Sequence, residues 1–173
     1  MTPISRTETA WNQRLIRWLL EGLALILALY LLHLWQTWDA AEGHAPALSG
    51  HSVTGGVFSL KTQREKPLLV YFWASWCPIC GISSSSIDKL AKHHDVITIA
   101  MQSGSENELM RYLKKEGLNF PVISDPQSRI AKTWGVKGVP TAYVVDKQNN
   151  IRFVSAGYTT PLGLKARMWL AEL

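Results

Sequence analysis

Hydrophobic and polar positions follow two different regimes along the 173-residue chain. From Leu15 to Trp35 the sequence LIRWLLEGLALILALYLLHLW is apolar on nearly every face, with Glu21 and His33 as interruptions. As a helix rising ~1.5 Å per residue it covers about 31 Å, the thickness of a bilayer's hydrocarbon core. Beyond Ser52 the pattern changes to short apolar runs separated by helical periods. Val57–Leu60 predicts a short extended element. Leu68–Trp73, apolar on both faces, predicts a central parallel strand covered by helices on each side. A helix follows from Cys77 to about His93, with Ile79, Ile82, Ser86, Ile87 and Leu90 near helical spacing. Next come a strand (Val96–Met101), a helix (Glu106–Glu116), a short strand (Phe120–Ser124) and a short helix (Arg129–Trp134) ended by Gly135. Thr141–Val145 and Ile151–Ala156 predict a hairpin, and Thr160-Pro161 opens a last helix with an N-cap and a proline at its first position. The order β-α-β-α-β-α-β-β-α predicts an α/β fold, a mixed central sheet flanked by helices, preceded by one transmembrane helix.

The N-terminal stretch reads as a membrane anchor over residues 15–38. Ten Leu or Ile residues between Leu19 and Leu34 favour insertion, and Glu21 lies near one end, where a charge costs less. Arg6 and Arg14 come before it, Arg17 stands in its first turn and the first Lys or Arg afterwards is Lys61, so the positive-inside bias puts residues 1–14 in the cytoplasm and the chain after Trp38 outside. Trp11, Trp18, Trp35 and Trp38 stand where interfacial aromatics stand. A cleaved signal peptide is the alternative: Leu23–Leu32 has the length of a signal core, and Ala45-Pro46-Ala47 loosely resembles a small-residue cleavage site. Either reading exports the remainder. Residues 39–52, rich in Ala, Gly, His and Pro, read as a linker, and residues 53–173 as the exported domain.

Composition narrows the function. With 47% hydrophobic and 10% aromatic residues the chain buries enough apolar surface to fold, which excludes a disordered or low-complexity protein. Lys+Arg 18 against Asp+Glu 13 gives +5 without any basic block, so nucleic acid is not an expected partner. Two cysteines exclude a multi-disulfide scaffold and direct attention to Cys77 and Cys80.

Cys77-Pro78-Ile79-Cys80 sets two thiols one helical turn apart at a strand-to-helix junction. Free backbone N–H groups and the positive end of the helix dipole stabilise an anion there, making Cys77 the expected nucleophile. Cys77 would attack a disulfide to give a mixed disulfide, and Cys80 would resolve it by closing the intramolecular bond; reversal transfers oxidation the other way. Other chemistries compete for the pair. Cys77, Cys80 and His93 fit three ligands of a zinc finger, but the fourth is missing, since His94 is adjacent to His93. A purely structural disulfide would close a four-residue loop, which constrains the unfolded chain little. The two thiolates would also suit Cu(I) in a non-catalytic metal-handling protein.

Tyr71 to Cys80, YFWASWCPIC, resembles the active-site strand and motif of thioredoxins, and Gly135 to Thr141, GVKGVPT, resembles their cis-proline loop. With the apolar N-terminal helix and the extra material between Val96 and Asp125, the chain is similar to the TlpA and ResA type of membrane-anchored bacterial thiol-disulfide oxidoreductase, the suppressor-of-copper-sensitivity type among them. The resemblance covers about Val53 to Leu173. It implies a thioredoxin fold, a cis Val139-Pro140 bond beside the cysteines and a redox-active Cys77–Cys80 disulfide. It also implies exchange with exported protein thiols and disulfides at a bacterial inner membrane, with the N-terminus cytoplasmic and the catalytic domain periplasmic. A reductant recharged by a membrane electron donor of the thiol-disulfide type, without a cofactor or metal, is the favoured direction. Trp76, Val139 and Pro140 are the expected partner-binding residues. Proline lacks a donor, so the backbone groups of Val139 are left to pair with a substrate segment like an added strand. Two departures stand out: Tyr71 occupies the position where thioredoxins carry a buried carboxylate, and the glutamate that ResA-like proteins place in the inserted region has only Glu106 nearby in sequence. The proton acceptor for Cys80 is therefore unassigned, and nothing resembles the Thr-x-x-Cys arrangement with which peroxidases polarise a peroxide.

Overall fold

The computed structural model describes residues 6–60 and 64–173, with side chains from Gln13 onward except those of residues 33 and 35–37. The side chains of Arg6, Trp11, His33 and Trp35, and residue Lys61, lie outside the described residues. The chain divides between Trp35 and Gln36 into two compact units.

The first unit is helical. Helix α1 runs Arg6–Thr37, and its stretch Gln13–Leu32 is long and apolar enough to cross a membrane, a window starting two residues before the expected Leu15 and ending short of Trp35. Glu21, the acidic residue inside this stretch, pairs with Arg17 one turn earlier at 2.9 Å. Trp18 and Trp38 are exposed.

The second unit begins with a small antiparallel pair, β1 (Ser49–His51) and β2 (Val57–Ser59). It continues through β3 (Leu68–Trp73), α2 (Pro78–Ala91), β4 (Asp95–Met101), α3 (Glu106–Glu116), β5 (Val122–Asp125), α4 (Arg129–Thr133), β6 (Thr141–Val145), β7 (Ile151–Ala156) and α5 (Pro161–Leu170). The five-stranded sheet has the order β5-β4-β3-β6-β7, with β4 parallel and β6 antiparallel to β3. This is the expected mixed sheet. β5 starts two residues later than its apolar run because Pro121 has no N–H to give the ladder; its carbonyl still accepts from Thr98 N at 2.9 Å.

All six residues of β3 are buried, and their alternation divides the core. Leu69, Tyr71 and Trp73 share one cluster with Ile87 and Leu90 of α2, Leu109 and Leu113 of α3, and Leu164 and Met168 of α5. Leu68, Val70 and Phe72 join the other with Ala131 of α4, Trp134, Ala45, Leu48 and Leu60. That second face corrects two expectations. Helices do not cover it alone, since α4 has only five residues. Residues 39–52, expected as a linker, complete it: Ala45 and Leu48 are buried, Ala45 N donates to Asn149 O at 2.7 Å, and Ile151 N donates to Gly43 O at 2.7 Å. Their loop-like composition hid a segment whose few apolar side chains fill a gap that a short helix leaves open.

The topology also places the chemistry. β6 runs antiparallel to β3 with Phe72 opposite Thr141, so the residues just before β6 lie beside the end of β3, where the chain turns into α2. Cys77 and Val139-Pro140 therefore meet at one end of the sheet's interior strands β3 and β6.

Candidate active site

After Trp73 the chain leaves the sheet through Ala74, Ser75 and Trp76, and Cys77 N donates back to Ala74 O at 3.2 Å. Pro78, with its φ fixed and no N–H to satisfy, opens α2 at the position that tolerates proline best. Cys77 is thereby the N-cap, in an extended conformation (φ −90°, ψ 112°), and its Sγ accepts the Cys80 N–H at 3.3 Å. A sulfur occupies the place that a serine or aspartate oxygen takes in an ordinary cap, so the helix offers its free amide to the Cys77 sulfur. The Cys77 thiol faces the Val139 carbonyl at 3.6 Å.

One turn below, Cys80 is fully buried. Burial, aided by a hydrogen bond with the Cys77 sulfur, pushes its thiol up to about 12. Tyr71 lies under this turn: its hydroxyl and Ser83 Oγ are 2.7 Å apart, and burial raises its ionisation well above the usual tyrosine range. Ser83 Oγ donates to the carbonyls of Ile79 (3.0 Å) and Cys80 (3.1 Å), and Ser84 Oγ donates to Cys80 O at 2.7 Å. Ser83 and Ser84 thus belong to the floor of the site, a role their serine-rich run did not announce. The buried carboxylates are engaged elsewhere: Asp88 with Asn119 N, Asp125 with the amides of Arg129 and Ala131, Asp146 with those of Gln148 and Asn150. Glu106 is exposed in the first turn of α3.

At the mouth, Trp76 is 60% exposed, and its indole N–H donates to Gln102 O at 3.1 Å, which fixes the ring beside Cys77. The Val139-Pro140 bond is cis. Val139, Pro140, Gly138, Ile79 and Gly157 line a cleft of about 170 Å³. Of the two Val139 backbone groups expected to be free, the carbonyl already faces the Cys77 thiol; the N–H makes no hydrogen bond among the described residues. All five residues singled out in the sequence, Trp76, Cys77, Cys80, Val139 and Pro140, come together here.

His93 does not join them. It follows the far end of α2, about 20 Å along the helix from Cys80, and no group of three metal-ligating side chains occurs among the described residues. Both cysteines are thiols in this structure.

Known proteins share this architecture. The model of the AhpC/TSA family matches residues 41–154. A thioredoxin-like protein of Haemophilus influenzae is 36% identical over 120 residues, covering 68% of this chain and 71% of its own. The thiol-disulfide oxidoreductase ResA of Geobacillus thermodenitrificans is 24% identical over 133 residues, covering 75% of this chain and 76% of its own. Among solved structures, a thioredoxin-family thiol:disulfide interchange protein from Chlorobium tepidum superposes with a TM-score of 0.66 at 25% identity, covering 78% of this chain and 99% of that one.

Proposed function

The chain belongs to the AhpC/TSA family of the thioredoxin superfamily and is a thiol-disulfide oxidoreductase, and from that premise we propose that Cys77 is its nucleophile, Cys80 its resolving thiol and exported proteins its partners. One observation carries the assignment: the Cys77 sulfur caps α2 and accepts an amide N–H at 3.3 Å in a residue that keeps 7% of its surface exposed, while Cys80 beneath it has 0%. The Cys77 thiolate attacks a partner disulfide, forming a mixed disulfide and releasing one partner sulfur, which takes up a proton. Cys80 then loses its proton and attacks the Cys77 sulfur, expelling the second partner thiol. Two electrons pass to the partner, and Cys77–Cys80 becomes the disulfide. The unpaired Val139 N–H beside the cleft supports docking of an extended partner segment, with Trp76 and Pro140 as its walls.

We assign the direction as reductive, with recharging by a membrane thiol-disulfide donor. Ala74, buried and without a hydroxyl, stands three residues before Cys77, so the site has no group there to polarise a peroxide. The N-terminal helix is retained as an anchor in the inner membrane, with the domain periplasmic. Supporting this, cleavage near Ala47 would strip away Ala45 and the residues before it that bond to Trp134 and Asn149.

The reduction potential of the Cys77–Cys80 couple tests the direction. A value well below the roughly −120 mV of a strong oxidant, with turnover in an insulin-type reduction assay, is expected. A potential near that of such oxidants overturns the direction, and stoichiometric Cu(I) binding without turnover overturns the enzyme assignment in favour of metal handling.

A further inference from the structure

We propose, resting on the exchange reaction above, that residues 38–41 form a strap that positions the partner-docking loop, with Asp39 acting on Val139-Pro140 through Lys137. Three separate contacts carry it. Asp39 Oδ2 lies 2.8 Å from Lys137 Nζ. The Ala41 N–H donates to the Trp134 carbonyl at 3.0 Å, an oxygen that also accepts the Tyr143 hydroxyl at 2.6 Å from β6. Between these, Gly135 adopts φ +67°, and a Cβ there would overlap the Asp39 carbonyl oxygen. The strap and loop are therefore in backbone contact, and only glycine fits at the crossing.

Residues 134, 135 and 137 are thus held by the segment that directly follows α1, and Val139 comes two residues later. Val136, Val139, Ala40 and Ala41 pack against the same core cluster. A partner adding a strand to this loop binds best when the loop is already ordered, because less freedom is lost on association. The strap touches neither sulfur in any contact above. Its route to Cys77 is the Val139 carbonyl, which meets that thiol only at a long 3.6 Å, so its effect falls on binding and leaves the attack by Cys77 as it was.

The pair is partly exposed, 23% for the Lys137 side chain and 63% for that of Asp39, which sets the expected scale. In the full chain in detergent, Asp39→Ala and Lys137→Ala each raise KM for a peptide disulfide about twofold to fivefold. They leave kcat and the rate of iodoacetamide alkylation of Cys77 unchanged, and the charge-swapped D39K/K137D chain restores KM. Gly135→Ala raises KM further but also endangers folding, so the ion-pair variants decide. An unchanged KM overturns the proposal, as does a rise that the swap does not reverse or one accompanied by altered Cys77 alkylation. Hydrogen exchange at the amides of residues 135–139 reads the strap without turnover. It is expected to quicken by a similar factor in both single variants, and unchanged exchange overturns the strap. Absence of wild-type turnover overturns the exchange reading alone.

Discussion

The mouth and the floor of the site lie within one turn of α2, yet they treat the same side chain in opposite ways. At the mouth, Cys77 meets backbone groups: the Cys80 amide donates to it and the Val139 carbonyl faces it. At the floor, Cys80 meets apolar side chains, Tyr71 and two serines whose hydroxyls already serve carbonyls, and burial holds it protonated. The difference teaches that position on the helix gives the two sulfurs the unlike surroundings that the proposed roles need, with no carboxylate bonded to either among the described residues. Backbone groups of Ala74 and Cys80 also reach the inner sulfur and favour its anion, but burial outweighs them there, whereas the N-cap sulfur takes its amide at the helix end.

Removing the mouth thiol tests the division most severely. Cys77→Ser is expected to reduce insulin-type turnover to background, since a serine hydroxyl at that cap is a weak nucleophile without a base. Turnover surviving in that variant would move the chemistry to Cys80 and erase the distinction. Cys80→Ser has the next largest effect: multiple turnover stops, but the first attack proceeds. Mass spectrometry of the non-reduced chain after mixing with a peptide disulfide should find one adduct on Cys77. No adduct would count against the order of events.

Much of this contrast is legible in the sequence because it is local. Pro78 after Cys77, an apolar run before it and a 3.6-residue period after it define strand, N-cap and helix within about 20 residues. The bounds of α3, β6 and β7 are equally local and match their expected residues, with Ser105 and Glu108 closing a capping box at the start of α3. What the sequence hides is assembled across distance. Tyr71 and Ser83 are 12 residues apart, on a strand and the following helix, and a run of four serines reads as a solvated or closely packed helix face before it reads as part of a site. The strap at residues 38–41 meets Trp134, Gly135 and Lys137 almost a hundred residues on, and an Ala, Gly, His and Pro composition gives no sign of such partners.

A pH series sharpens the comparison at smaller amplitude. In the Cys77→Ser chain the part of the upward shift owed to the Cys77 sulfur is lost but burial, its first cause, stays. The remaining thiol should therefore alkylate slowly at neutral pH, its rate still rising about tenfold per pH unit past the ordinary thiol value of 9.0. Levelling near 9 would mean that the floor is open to water. The same burial makes a stability statement. A group that ionises later in the folded chain than in the unfolded one contributes stability fully present below its unfolded value and lost as pH rises through its folded value. For Cys80 that window is 9.0 to about 12; Tyr143, pushed from 10.0 to about 12 by burial, contributes over its upper part. Thermal unfolding should therefore hold steady below pH 9 and fall steadily above it.

Tyr71→Phe has the smallest expected effect and asks what the floor is made of. The substitution removes the hydroxyl 2.7 Å from Ser83 Oγ but keeps the ring that fills the space beneath α2. Ser83 retains the carbonyls of Ile79 and Cys80 as acceptors, so no buried donor is orphaned. The loss should be that of one hydrogen bond, about 1 kcal/mol, seen as a Tm lower by roughly 4 °C in a domain of this size. Since burial is the first cause of the raised Cys80 ionisation, its alkylation profile should stay where it was. A profile displaced toward lower pH, at an unchanged Tm, would instead make the Tyr71–Ser83 pair the element that keeps Cys80 protonated, and the floor would then be defined by a hydrogen bond instead of by the exclusion of water.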